Sequence, residues 1–96
     1  MRLKTIEINS IKEIINRHYN NAIIYLFGSR VDESKKGGDI DLYILLDKKP
    51  HFLDKPTLLA SLKRSIGEQK IDLVFGYPQK KSGLIDKEAL SKGIKL

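Results

Sequence analysis

The chain has 96 residues, of which 41% are hydrophobic and 31% are charged, and its formal net charge is +6. This length predicts a single domain over residues 1–96, because independent domains usually contain about 100–150 residues, and the apolar fraction excludes a disordered chain. The sequence contains no cysteine, which excludes disulfides and thiolate metal sites. It also contains no apolar run near the ~20 residues of a membrane span. Together these features predict a soluble, cytoplasmic protein that does not enter a membrane.

The first predicted element is a helix that begins near Ser10. The run from Ser10 to Glu13 matches a capping box, in which two side chains accept hydrogen bonds from free backbone amides. An apolar stripe at helical spacing follows, and the pair Asn20 and Asn21 is typical of the turn that ends such a helix. Residues 3–8 fit either a strand or an extension of this helix.

Three short apolar runs predict β-strands, because each is rich in β-branched or aromatic residues and is bounded by turn-forming or charged residues. These runs are residues 22–27, 39–46 and 71–75. The first ends at Gly28 and is followed by a polar loop over residues 30–38.

Two further helices are predicted after the second strand. Asp54 is suited to cap the first of them, with Pro56 in its first turn and Gly67 at its end. A short helix capped by Asp86 extends to Ser91. The order helix, strand, strand, helix, strand, helix predicts a small α/β or α+β domain.

The residues best suited to chemistry are three aspartates at the starts of strands. Side chains on a strand alternate between faces, so Asp39 and Asp41 point the same way, roughly 7 Å apart along the backbone. Two carboxylates this close repel each other unless a cation lies between them, and such oxygen ligands suit Mg²⁺. Asp72 begins the third strand and completes a three-carboxylate cluster if the two strands are neighbours. Such a cluster fits metal-dependent phosphoryl or nucleotidyl transfer.

The turn after the first strand is suited to binding phosphate. Gly28 allows backbone amides to approach an anion closely, the Ser29 hydroxyl adds a donor, and Arg30 adds a charged fork. Alone, a Gly-Ser pair is usually only a turn, and two aspartates at this spacing are common by chance. The ordered combination of this turn with three aspartates in apolar strands favours a functional site, since unpaired charges there are costly.

Basic side chains form a separate feature. Residues 48–70 contain six basic and two acidic side chains, and Lys80 and Lys81 follow the third strand. Such residues most often form a solvated surface. The alternative is that these residues bind an anionic partner, either RNA or an acidic protein, which the positive net charge favours.

Three segments together resemble the minimal nucleotidyltransferases of the polymerase-beta-like superfamily, which often pair with a helical HEPN toxin. The segments are residues 26–30, 38–42 and 71–74, and the resemblance covers essentially the whole chain. It implies a polymerase-beta-like α/β fold with a small mixed sheet and helices packed on it.

The resemblance also assigns roles to the site residues. It implies that Asp39 and Asp41 hold Mg²⁺, and that Asp72 ligates the catalytic metal and helps to activate the acceptor hydroxyl. It further implies that the turn binds the phosphates of ATP; its nucleotide-binding residues are Gly28, Ser29 and Arg30.

The implied activity is Mg²⁺-dependent transfer of AMP from ATP to a hydroxyl, expected to be a tyrosine of a cognate HEPN toxin, so that the protein acts as an antitoxin. Two alternatives stay open: a non-catalytic antitoxin that neutralises its partner by binding, and a nucleotidyltransferase acting on RNA ends or a small hydroxylated molecule. Because a single small domain has no separate acceptor-binding part, nucleic acid is not the expected direct substrate. The acceptor then arrives on another protein, so a homo- or hetero-oligomer is expected.

Overall fold

The computed structural model describes residues 3–28, 39–67 and 69–96. Within them the chain forms three helices and four strands, which confirms the predicted α/β fold and adds one short strand at the end. The helices are α1 (Thr5–His18), α2 (Asp54–Ile66) and α3 (Leu84–Lys92), and the strands are β1 (Ile23–Phe27), β2 (Ile40–Leu45), β3 (Ile71–Gly76) and β4 (Ile94–Lys95). None of these helices is long and apolar enough to cross a membrane.

The four strands form one mixed sheet in the order β3-β2-β1-β4. β1 pairs antiparallel with both β2 and β4, whereas β2 and β3 are parallel. A parallel pair needs a crossover connection, and α2 supplies it by carrying the chain from the end of β2 back to the start of β3. The amino ends of β2 and β3 therefore meet at the same edge of the sheet.

The main core lies between the sheet and helices α1 and α2. Alternate residues of the three long strands point to this side and pack against the isoleucines of α1 and the leucines of α2. Its fully buried side chains are Ile11, Ile15, Leu26, Ile40, Leu42, Ile44, Leu58, Leu62 and Leu73. On the other face, Ala89 of α3 packs against Phe27 and Tyr43 in a smaller cluster. Asp41 and Asp72 belong to this second face, because their strand neighbours point into the main core.

The start of α1 differs from the prediction. The helix begins at Thr5, so Ser10 lies inside it and the predicted capping box at Ser10 is wrong. The amide of Lys4 instead donates to the Glu7 carboxylate at 2.9 Å. Most of residues 3–8 therefore extend the helix, because an acidic side chain near its start satisfies a free amide there.

The other two predicted caps are also displaced. Asp54 and Asp86 lie in the first turns of α2 and α3 rather than at the N-cap positions. Each carboxylate still accepts a hydrogen bond from the amide three residues earlier, from His51 at 3.2 Å and from Gly83 at 2.8 Å. The predicted end of α2 at Gly67 is confirmed, where φ is 92°.

Candidate active site

Two of the predicted site residues are direct neighbours in the sheet. Asp41 of β2 is in register with Asp72 of β3, and on its other side it is in register with Phe27 of β1. The strand adjacency that the sequence left open is therefore present. The parallel pairing of β2 and β3 brings the two carboxylates together on the α3 side of the sheet.

The surroundings of Asp41 disfavour its ionised form. Burial is the largest cause that raises the pKa of the Asp41 carboxyl, and the charges of its acidic neighbours and a hydrogen bond to Asp72 bring the pKa to about 6. These acidic neighbours are Asp72, Asp39 and Glu88. Two carboxyl groups can share a hydrogen bond only when one of them holds a proton. A divalent cation bound between them would replace that proton, so this donor set has the chemistry of a Mg²⁺ site.

Gly28 lies against the Asp41 carboxylate, directly after β1. Its φ of 76° is a left-handed conformation that favours glycine. A Cβ atom at this position would overlap Oδ2 of Asp41. Only glycine therefore lets the Asp41 carboxylate lie this close to the backbone after β1. The other two predicted nucleotide-binding residues, Ser29 and Arg30, lie outside the described residues.

Asp39, directly before β2, forms an ion pair with Lys70, directly before β3. Nζ of Lys70 lies 3.5 Å from Oδ2 of Asp39, and both side chains are partly exposed. The backbones are held together here, because the amide of Ile40 donates to the carbonyl of Lys70 at 3.0 Å. An exposed pair of this kind contributes about 0–1 kcal/mol, so Asp39 can exchange Lys70 for another cation at little cost.

In the described residues, no group of three or more Asp, Glu or His side chains is already arranged to hold a metal ion. Asp41 and Asp72 would provide two adjacent carboxylates for Mg²⁺. Asp39 would join them after breaking its ion pair with Lys70. The assignment of these three aspartates as metal ligands stays a prediction.

Two further residues of the site, Lys70 and Glu88, belong to no motif in the sequence. The available signal for Lys70 was its position, since it precedes β3 as Asp39 precedes β2. Glu88 lies on α3, and its charge contributes to the raised pKa of Asp41. No local pattern could have placed Glu88, because its proximity depends on how α3 packs on the sheet.

A hydrogen-bond network anchors α3 on this face of the sheet. Asp86, only 5% exposed, accepts hydrogen bonds from the Tyr43 hydroxyl at 2.8 Å and from Nζ of Lys80 at 3.0 Å, as well as from Gly83. Burial alone would raise the pKa of Asp86, but these hydrogen bonds and the Lys80 charge lower it to about 2. Because Tyr43 lies two residues after Asp41 on the same face of β2, the network fixes α3 beside the carboxylate pair.

Comparison with known families gives a match over most of the chain. The model of the family described as "Polymerase beta, Nucleotidyltransferase" matches residues 9–96, which include β1 to β4 and every site residue named above. A comparison with curated proteins found no match. The mixed sheet, with its carboxylates at the amino edge of β2 and β3, agrees with the fold that the sequence resemblance implied. The chain therefore belongs to the polymerase beta nucleotidyltransferase family.

Proposed function

We propose that this protein catalyses the Mg²⁺-dependent transfer of AMP from ATP to a tyrosine hydroxyl of a HEPN-domain toxin, and that it acts as an antitoxin in this way. Membership of the family supports nucleotidyl transfer as the general activity. The observation that carries the proposal is the adjacent pair Asp41 and Asp72, with the Asp41 carboxylate lying directly against Gly28.

The proposed reaction is a single displacement at phosphorus. The acceptor oxygen attacks the α-phosphorus of ATP, the bond from that phosphorus to the bridging oxygen breaks, and pyrophosphate leaves. Bound Mg²⁺ would supply charge neutralisation for the phosphate oxygens. Asp72 is exposed at the sheet edge, where it can accept the proton of the incoming hydroxyl. Asp41 is half-buried in β2, between β1 and β3, so its side chain is more restricted than that of Asp72 and is suited to bind the metal.

The choice of a protein acceptor rests on the resemblance to minimal nucleotidyltransferases that pair with HEPN toxins. Residues 26–30, 38–42 and 71–74 carry that resemblance. We place the pair of proteins in the cytoplasm, in keeping with a sequence that contains no cysteine.

The test is to incubate the protein with a candidate HEPN-domain protein, Mg²⁺ and ATP labelled at the α-phosphate. Label should appear on a tyrosine of the HEPN protein, and Asp41→Asn or Asp72→Asn should abolish the transfer. Asp47→Asn is the matched control, because it removes the same charge from an exposed position beyond the far end of β2. Near-native transfer by Asp41→Asn would contradict the metal assignment.

Two other outcomes would support a different function. Label on RNA ends or on a small hydroxylated compound, with none on the HEPN protein, would keep the chemistry and change the acceptor. A complex that forms and protects cells equally well with Asp39 and Asp41 replaced would instead support a non-catalytic antitoxin.

A further inference from the structure

A groove at the carboxyl ends of β2 and β3 combines aromatic rings with lysines. Its volume is about 310 Å³, and its lining includes Phe52, Phe75 and Tyr77 together with Lys49, Lys55 and Lys80. Among the described residues that line it, none is acidic. The groove is therefore both apolar and positively charged.

Phe52 is a highly exposed ring of the groove. Its side chain is 81% exposed, although a phenylalanine gains free energy by leaving water. The ring is stacked on that of His51, with centroids 4.6 Å apart and planes inclined by 30°. Phe75 packs against Tyr19 in an edge-to-face contact, with ring centroids 6.2 Å apart. The groove thus presents supported aromatic rings with room for another planar group.

The lysines of the groove differ in how their charges are used. Lys80 donates to Asp86 at 3.0 Å and to the Phe75 carbonyl at 2.7 Å. Lys49 and Lys55 form no ion pair within residues 3–28, 39–67 and 69–96. Two positive charges beside the exposed ring are therefore available to an anionic ligand.

We propose that this groove binds single-stranded nucleic acid, with an unpaired base stacked on Phe52 and phosphates beside Lys49 and Lys55. Aromatic rings accept any base, and lysines that follow the backbone add affinity without sequence preference. A duplex hides the faces of its bases and cannot use Phe52 in this way. The charge of the groove suits phosphates, and its rings suit bases; an acidic peptide would use only the lysines.

The groove is separate from the transfer site. Phe75 lies three residues after Asp72 on β3, roughly 10 Å along the strand, and points to the opposite face of the sheet. Binding at the groove therefore does not depend on the proposed adenylyl transfer, and each can be tested without the other.

The experiment measures fluorescence anisotropy of labelled oligouridylate and oligothymidylate of about eight nucleotides, within the usual site size of such proteins. EDTA is present to remove metal-dependent binding at the carboxylates. We expect both single strands to bind and Phe52→Ala to weaken binding at least about fivefold. The matched control is Leu84→Ala, since Leu84 on α3 is 85% exposed and lies outside the groove; its affinity should equal that of the unmodified protein.

The lysines are tested by the salt dependence of binding. The double variant Lys49→Gln/Lys55→Gln should reduce the slope of log K against log salt by about 1.4, the value for two contacts to single-strand phosphates. The control Lys12→Gln/Lys87→Gln changes the net charge equally at exposed positions on α1 and α3, and should leave the slope unchanged. Equal binding by Phe52→Ala and the unmodified protein would overturn the proposal, as would tighter binding of a duplex or of an oligoglutamate peptide.

Discussion

Replacement of Gly28 by alanine tests whether nucleotidyl transfer depends on the position of the Asp41 carboxylate. Gly28 has a φ of 76°, and an added Cβ would overlap Oδ2 of Asp41 and lie 3.2 Å from its Cγ. The left-handed conformation costs a residue other than glycine about 1–2 kcal/mol. The overlap is relieved only if the carboxylate moves, and a displacement of about 1 Å in an active site can lower a rate about 100-fold. We expect Gly28→Ala to lose about 1–2 kcal/mol of unfolding free energy and about two orders of magnitude in transfer.

Gly67→Ala is the matched control for this experiment. Gly67 also has a positive φ, 92°, but nothing lies within 4 Å of an added Cβ. Its ψ of 179° puts Gly67 in a region that is essentially restricted to glycine, so Gly67→Ala should lose about 1–3 kcal/mol of unfolding free energy and keep full transfer. Urea denaturation gives the free energies of unfolding, and label transfer, with calorimetry of Mg²⁺–ATP binding, gives function. Equal transfer rates for Gly28→Ala and Gly67→Ala would refute the reasoning.

Three further predictions concern the charged groups. Burial and neighbouring carboxylates raise the pKa of Asp41 from 3.8 to about 6, so between these pH values the folded metal-free protein holds a proton that the unfolded chain releases. The free energy of unfolding should therefore fall as the pH rises from about 4 to 6. Urea titrations should show no such fall from this group in Asp41→Asn. The pKa of Asp86 is lowered to about 2, so its stabilisation is complete above about pH 4 and is lost as the pH falls toward 2. Asp86→Ala leaves three hydrogen-bond donors without their acceptor and should cost about 3 kcal/mol at neutral pH; a cost below about 1 kcal/mol would contradict the role of the network. Lys70→Gln removes an exposed ion pair and should change the free energy of unfolding by less than about 1 kcal/mol. Calorimetry should show tighter Mg²⁺ binding, because Asp39 no longer pairs with Lys70. Weaker binding would contradict the proposal that Asp39 exchanges Lys70 for the metal.

Much of the fold was predictable because its signals are local. Apolar runs of strand length and apolar stripes of helical period depend only on near neighbours, so the order of the first six elements is confirmed. The helix starts were less predictable, since several residues near each start can satisfy a free amide. At α1 the carboxylate of Glu7 does so for Lys4, and Ser10 is an ordinary helical residue. The short strand β4 was missed because two residues carry no periodic signal.

The amino-acid sequence by itself determined which residues are unusual for their positions: Gly28 after a buried strand, and aspartates at the starts of two apolar strands. Which of these meet was decided by the tertiary structure. The parallel pairing of β2 with β3 sets Asp41 beside Asp72, and the packing of α3 brings the charge of Glu88 to bear on Asp41. The groove of Phe52 and Phe75 likewise joins two segments that are distant in the chain. Such contacts depend on strand order and helix packing, which the whole core specifies and no short segment encodes.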